Sequence, residues 1–127
     1  MIGLPESVRI LLFAAATDMR KGFDGLCGLV TAAGEDVYSG HLFVFLSRRR
    51  DRAKILTFQK GGFVLWYKRL ERGRFKPLQS APGDEHIVLD STELAMLLDG
   101  IDVRRVKRPA HWRPHPRQRG IDIKRAS

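Results

Sequence analysis

Six residues in the middle of the chain, Ser47-Arg48-Arg49-Arg50-Asp51-Arg52, put four guanidinium groups within five positions. Each is a permanent cation with a planar fork of donors that matches phosphate and carboxylate oxygens. Packed this closely the four repel one another, so the segment reads either as a solvated loop or as a surface for an anionic partner. A second basic group, Lys68, Arg69, Arg72, Arg74 and Lys76, follows further along the chain. Arg20 and Lys21 precede a predicted helix start, where free amides and the helix dipole favour a phosphate. The alternative there is a solvated turn capped by Asp18.

Other chemistry is less well supplied. A metal-dependent nuclease gathers two or three carboxylates on one or two metal ions. The candidates are Asp18, Asp24, Glu35, Asp36 and Asp51, and none sits in a metal-ligand spacing. Asp18 and Asp24 read better as caps or as partners of Arg20 and Lys21. Tyr38 and Tyr67 have the hydroxyl of a recombinase nucleophile, but amphipathic tyrosines of a half-buried sheet are the commoner case. His111 and His115 have an H-x3-H spacing without the cysteine pair of a zinc finger, because Cys27 is the single cysteine. Cys27 falls on the apolar face of a predicted helix, where a buried and reduced thiol is expected. The residues predict no catalytic centre, no metal site and no cofactor.

The distribution of charge favours a polyanion. Net charge is +9 with a pI near 10.4. Residues 1–46 hold three basic and five acidic side chains, residues 47–76 eleven and two, residues 77–103 none and six, and residues 104–127 nine and one. A generic solvated surface intersperses the signs, whereas two basic blocks around an acidic one favour nucleic acid over a membrane surface or an acidic protein. The longest uncharged apolar run, Ile10 to Ala16, is too short to cross a bilayer. Glu6 stands ahead of it where a secretory leader carries basic residues, so a cytoplasmic location is expected.

Elements must hold these charges in place. The 127 residues and 14.4 kDa suit one domain with one core. Val8–Phe13 reads as a strand covered on both faces, and Phe23, Leu26, Cys27 and Val30 recur at helical spacing into Ala33. Gly25 and Gly28 in that helix predict either rescue by packing or close approach of another backbone. Leu42–Leu46 and Ala53–Phe58 read as strands around the arginine turn, followed by a tight turn at Lys60-Gly61-Gly62 and a long strand, Phe63–Leu70. Arg74–Leu78 reads as a short edge strand, since proline is admitted at edges, and His86–Leu89 as a last one. Asp90-Ser91-Thr92-Glu93 is a capping box, opening a helix with Leu94, Leu97, Leu98 and Ile101 on one face and Gly100 as its left-handed stop.

The expected fold is α+β: an antiparallel β-meander sheet of four to six strands, two packed α-helices and a flexible basic C-terminal tail. Residues 1–103 are expected to form the domain, and the Pro/Arg-rich residues 104–127 the tail. Alternate turns of a meander lie at one end of the sheet, so the Arg48–Arg52 turn and the Glu71–Gly73 turn should form one patch.

Four blocks of the sequence resemble a known family: Thr17–Leu26 (TDMRKGFDGL), Ser39–Phe45 (SGHLFVF), Lys68–Phe75 (KRLERGRF) and Leu94–Ile101 (LAMLLDGI). They are similar, in matching order from about residue 2 to residue 103, to the TnpB-type accessory proteins of the insertion-sequence-sixty-six family. The resemblance implies a bacterial mobile-element protein, encoded beside an acidic-triad transposase and needed, with another small accessory protein, for transposition. It implies no catalytic residues. Joined to the charge pattern, it leads to the expectation of a non-enzymatic protein that contacts DNA at element ends through Arg48, Arg49, Arg50, Arg52, Lys68, Arg69, Arg72 and Arg74, with Arg20 and Lys21 as a secondary anion site. The alternative is an adaptor that binds the transposase without touching DNA.

Overall fold

A computed structural model describes residues 8–77 and 81–101. Along the chain it has β1 (Ile10–Phe13), α1 (Phe23–Ala32), β2 (Leu42–Leu46), β3 (Arg52–Gln59), β4 (Gly62–Arg69), β5 (His86–Leu89) and α2 (Ser91–Leu98). The strands form one five-stranded sheet in the order β4-β3-β2-β1-β5. The fold is therefore α+β, and β2, β3 and β4 form the expected meander.

The sheet is mixed and not antiparallel throughout. β1 and β2 run parallel, with Ile10 opposite Leu42 and Leu12 opposite Val44, while β1 and β5 run antiparallel. Two parallel neighbours need a crossover between them, and α1 lies in that connection. The second departure concerns Arg74–Leu78. Arg74–Pro77 has no strand structure, and Leu78 lies outside the described residues. Phe75 and Pro77 are buried instead, which fastens this segment by its side chains. The predicted tail likewise lies outside the described residues.

Strand alternation sends side chains to two faces, each covered by one helix. Leu11, Phe43, Phe45 and Leu56 pack against Leu26 and Val30 of α1. Ile10, Leu12, Val44, Leu46, Ala53, Ile55 and Leu89 pack with Leu94 and Leu97 of α2 and with Phe75. The apolar runs of β1 and β2 are explained by this double coverage, and all five residues of β2 are buried. Gly25 makes room for Lys21, because an added Cβ would stand 3.0 Å from the Lys21 Cβ, and Gly28 faces open space. Neither glycine admits a second backbone.

The helix ends follow from local chemistry. Asp90 accepts from the Glu93 amide at 2.7 Å and Glu93 accepts from the Asp90 amide at 2.9 Å, the predicted capping box. Gly100 takes a φ of 78°, and the Ile101 amide reaches back to the Met96 carbonyl. α1 ends in the same way, with Gly34 at a φ of 82° and Glu35 bonded to Val30. Both are Schellman closures, which satisfy carbonyls that a helix end leaves open. Eight residues are too few for α2 to persist alone, so burial of Leu94 and Leu97, about 1.5–3 kcal/mol each, holds it.

Candidate nucleic-acid interface

Because β1, β2 and β4 all run the same way, their carboxyl ends lie at one end of the sheet. Backbone hydrogen bonds lace the loops that leave it. The Thr17 amide donates to the Leu46 carbonyl at 2.9 Å and the Ala14 amide to the Glu85 carbonyl at 3.0 Å. The Leu70 amide donates to Asp51 at 2.8 Å and the Phe75 amide to Arg50 at 2.6 Å. The arginine turn and the segment after β4 are thus joined directly, as the meander argument expected.

The turn itself is tight. The Arg50 amide donates to the Ser47 carbonyl, and the Ser47 hydroxyl donates to Asp51 Oδ1 at 3.1 Å and accepts from the Arg52 amide at 3.2 Å. Arg50 has a φ of 60°, in the left-handed region that costs a side-chain-bearing residue roughly 1–2 kcal/mol. Arg48, Arg49 and Arg50 are exposed at the tip. Arg52 begins β3 and stands opposite Arg69 at the end of β4, so like charges meet across the ladder on the α1 side. Arg72 and Arg74 are exposed in the segment that Phe75 anchors. Among the described residues the ion pairs are Arg9–Glu35 and Arg20–Asp18, and neither involves these seven arginines.

Lys68 is placed differently. It points to the α2 side, where its ammonium donates to the Leu98 carbonyl at 2.7 Å, a cation at the negative end of the helix. Arg20 is paired with Asp18, whose carboxylate accepts from its Nη2 at 2.7 Å, from its Nε at 3.1 Å and from its backbone amide at 2.9 Å. These bonds hold the Asp18 carboxyl well below the usual carboxylate range. Lys21 is half-buried, and Asp24 adds a negative charge in the first turn of α1, which itself has no side-chain cap. A cavity of about 430 Å³ lies between this loop and the arginine turn, lined by Thr17, Asp18, Met19, Arg20, Ser47, Arg48, Arg49, Asp51 and Arg52.

Lys54 is the residue that sequence reasoning missed. It is buried on the α1 side of β3, and its ammonium donates at 2.8 Å to both the Met19 and the Lys21 carbonyls. It also lies 5.1 Å from the centre of the Tyr67 ring. The available signal was a lone lysine at an inward position of an apolar strand, where a charge persists only with such partners. Elsewhere the candidates have structural settings. Tyr38 stands outside the sheet with its ring against Phe58 and Phe63. Burial, and then the Asp24 charge, push the Cys27 thiol up. Burial, and then the Arg9 charge, lower the His41 imidazole, whose Nδ1 accepts from the Arg9 amide at 3.0 Å. Among the described residues no group of three or more His, Cys, Asp or Glu is placed to hold a metal ion, and His111 and His115 lie outside them. No helix among the described residues is long and apolar enough to cross a membrane.

Fold and site together define an α+β protein that gathers cationic loops at one end of a mixed sheet. The chain belongs to the IS66 Orf2-like family, whose family model matches residues 8–108 and so runs past Val103 to Arg108. It is 36% identical over 115 residues to the uncharacterized protein y4jC of Sinorhizobium fredii (strain NBRC 101917 / NGR234), covering 90% of this chain and 97% of that one. The uncharacterized protein y4hO of the same strain is also 36% identical over 115 residues, covering 90% of this chain and 96% of the relative. No solved structure matches. The family consists of accessory proteins and not of known enzymes, and membership gives this chain an accessory part in transposition of an insertion sequence.

Proposed function

We propose that the protein binds DNA at the ends of its insertion sequence, together with the transposase and a second small accessory protein, and performs no catalysis. Arg48, Arg49, Arg50, Arg52, Arg69, Arg72 and Arg74 are the phosphate contacts. Lys68 is omitted because its ammonium serves the end of α2. The observation that carries the reading is the lacing of the two arginine-bearing segments into one surface, with no carboxylate paired to these arginines among the described residues. Such contacts position a protein on a duplex and do not read its sequence. Counterion release gives the test: with about five phosphates neutralised, log affinity falls against log salt with a slope of about −4.5. Fluorescence anisotropy with element-end duplex DNA measures this, and a flat salt response rejects the reading.

The edge of β4, which has no strand partner among the described residues, favours a second reading, an adaptor that takes up a strand of the transposase while its arginines face an acidic surface of that partner. Reversing the charges of Arg48, Arg49 and Arg50 separates the two. Under the first reading the variant folds and still co-purifies with the transposase but loses DNA. Under the second it loses the transposase, and wild-type protein alone shows no salt-dependent DNA affinity.

A further inference from the structure

We propose that the basic end accepts an unpaired nucleotide, whose base stacks on Tyr67 and whose flanking phosphates meet Arg52 and Arg69. The inference rests on the DNA-binding reading and deepens it from duplex backbone to exposed bases. In the β3–β4 ladder Lys54 stands opposite Tyr67 and Arg52 opposite Arg69, so the four form one block on the α1 face. Within the block Tyr67 is 50% exposed although it belongs to a strand of the sheet. Its ring is backed by the Lys54 ammonium at 5.1 Å, and that ammonium is itself fixed by the Met19 and Lys21 carbonyls. The tyrosine is therefore a supported aromatic surface and not a loose side chain. Arg69 lies two residues along the strand, about 7 Å away. Two residues beyond Lys21, Phe23 opens α1 with 46% of its surface exposed, a second uncovered ring bordering the same loop.

An intact duplex makes no use of such a surface, because its base faces are already stacked. An unpaired base has a free face, and any base gains by stacking on an aromatic ring while its phosphates bind cations. Phosphate also relieves the repulsion between Arg52 and Arg69, which face each other across the strands. Trp66 gives an internal control, since it sits next to Tyr67 in β4 but on the opposite face of the sheet, 40% exposed.

The experiment uses the full chain and fluorescence anisotropy with three labelled probes: an oligo-dT single strand, a blunt duplex and the same duplex with a single-stranded overhang. Wild type binds the single strand and the overhang more tightly than the blunt duplex. Tyr67→Ala weakens the first two about tenfold and leaves the blunt duplex unchanged, while Tyr67→Phe and Trp66→Ala bind like wild type. Circular dichroism confirms that each variant is folded. If Tyr67→Ala leaves all three affinities unchanged, or lowers them equally, the nucleotide site is overturned. Wild-type binding to duplex with no preference for unpaired DNA also overturns it and leaves the DNA-binding reading standing. Absence of salt-dependent binding to any probe overturns both.

Discussion

Arg50 occupies a backbone conformation better suited to glycine or asparagine. The turn keeps it there through the bond from its amide to Ser47 and the bond from the Phe75 amide to its carbonyl. A strained residue with an exposed cationic side chain points to use of the charge. Arg50→Gly is expected to keep or raise stability by about 1 kcal/mol in urea unfolding while weakening DNA binding. Arg50→Ala, with the same loss of charge and no relief of the backbone, should show no gain in stability. A clear loss in the glycine variant would mean that the arginine side chain itself holds the turn. The arginines were legible in the sequence as a dense run, and their gathering with Arg69–Arg74 followed from the meander. Lys54 was not legible, because its partners are backbone carbonyls far along the chain, and no periodicity marks a carbonyl. The engagement of Lys68 with α2 was hidden for the same reason.

The connection from β1 to α1 depends on a residue of another element. Residues 14–22 have little secondary structure, and they are held by the Thr17 bond to β2 and by the reach of Lys54 to Met19 and Lys21. Lys54→Met keeps the stem in the core and removes both donors. It is expected to cost about 1–3 kcal/mol in urea unfolding, and to speed tryptic cleavage after Arg20 and Lys21 more than elsewhere. Uniform acceleration across the chain would show instead that Lys54 supports the whole sheet. At this scale the sequence served well where one residue pattern determines the element. The capping box, the left-handed stop at Gly100 and the two-residue turn at Lys60-Gly61 all formed as expected, the last with φ values of 48° and 83°. It served less well for pairing. The run Ile10–Phe13 marked a strand covered on both faces, but its neighbour is chosen by the crossover through α1, which made the pair with β2 parallel. Arg74–Pro77 alternates charged and apolar residues like an edge strand, yet burial of Phe75 beneath the arginine turn left it no ladder to join.

The whole molecule has a graded interior. β1 and β2 are covered on both faces and paired on both edges, whereas β4 and β5 each have one edge without a strand partner among the described residues. The bond from Leu70 to Asp51 sets the phase of the β3–β4 ladder, so Phe63, Leu65 and Tyr67 direct their amides away from β3. Native-state hydrogen exchange should find the amides of β1 and β2 slowest and those three faster than Val64, Trp66 and Lys68, whose amides face β3. Strong protection at Phe63, Leu65 and Tyr67 would show that a further segment or a second chain covers that edge in solution.

The pairing of Arg52 with Arg69 has a mechanical consequence. The last rung of the longest ladder in the sheet carries two like charges, and just beyond it the Leu70 and Phe75 amides tie the following segment to the turn. An anion seated on that rung would remove its repulsion and so stiffen both the ladder and the segment fastened behind it. Occupancy of the basic end would register as a tightening of backbone already in place, transmitted along β3 toward the middle of the sheet, with no hinge and no moving lid.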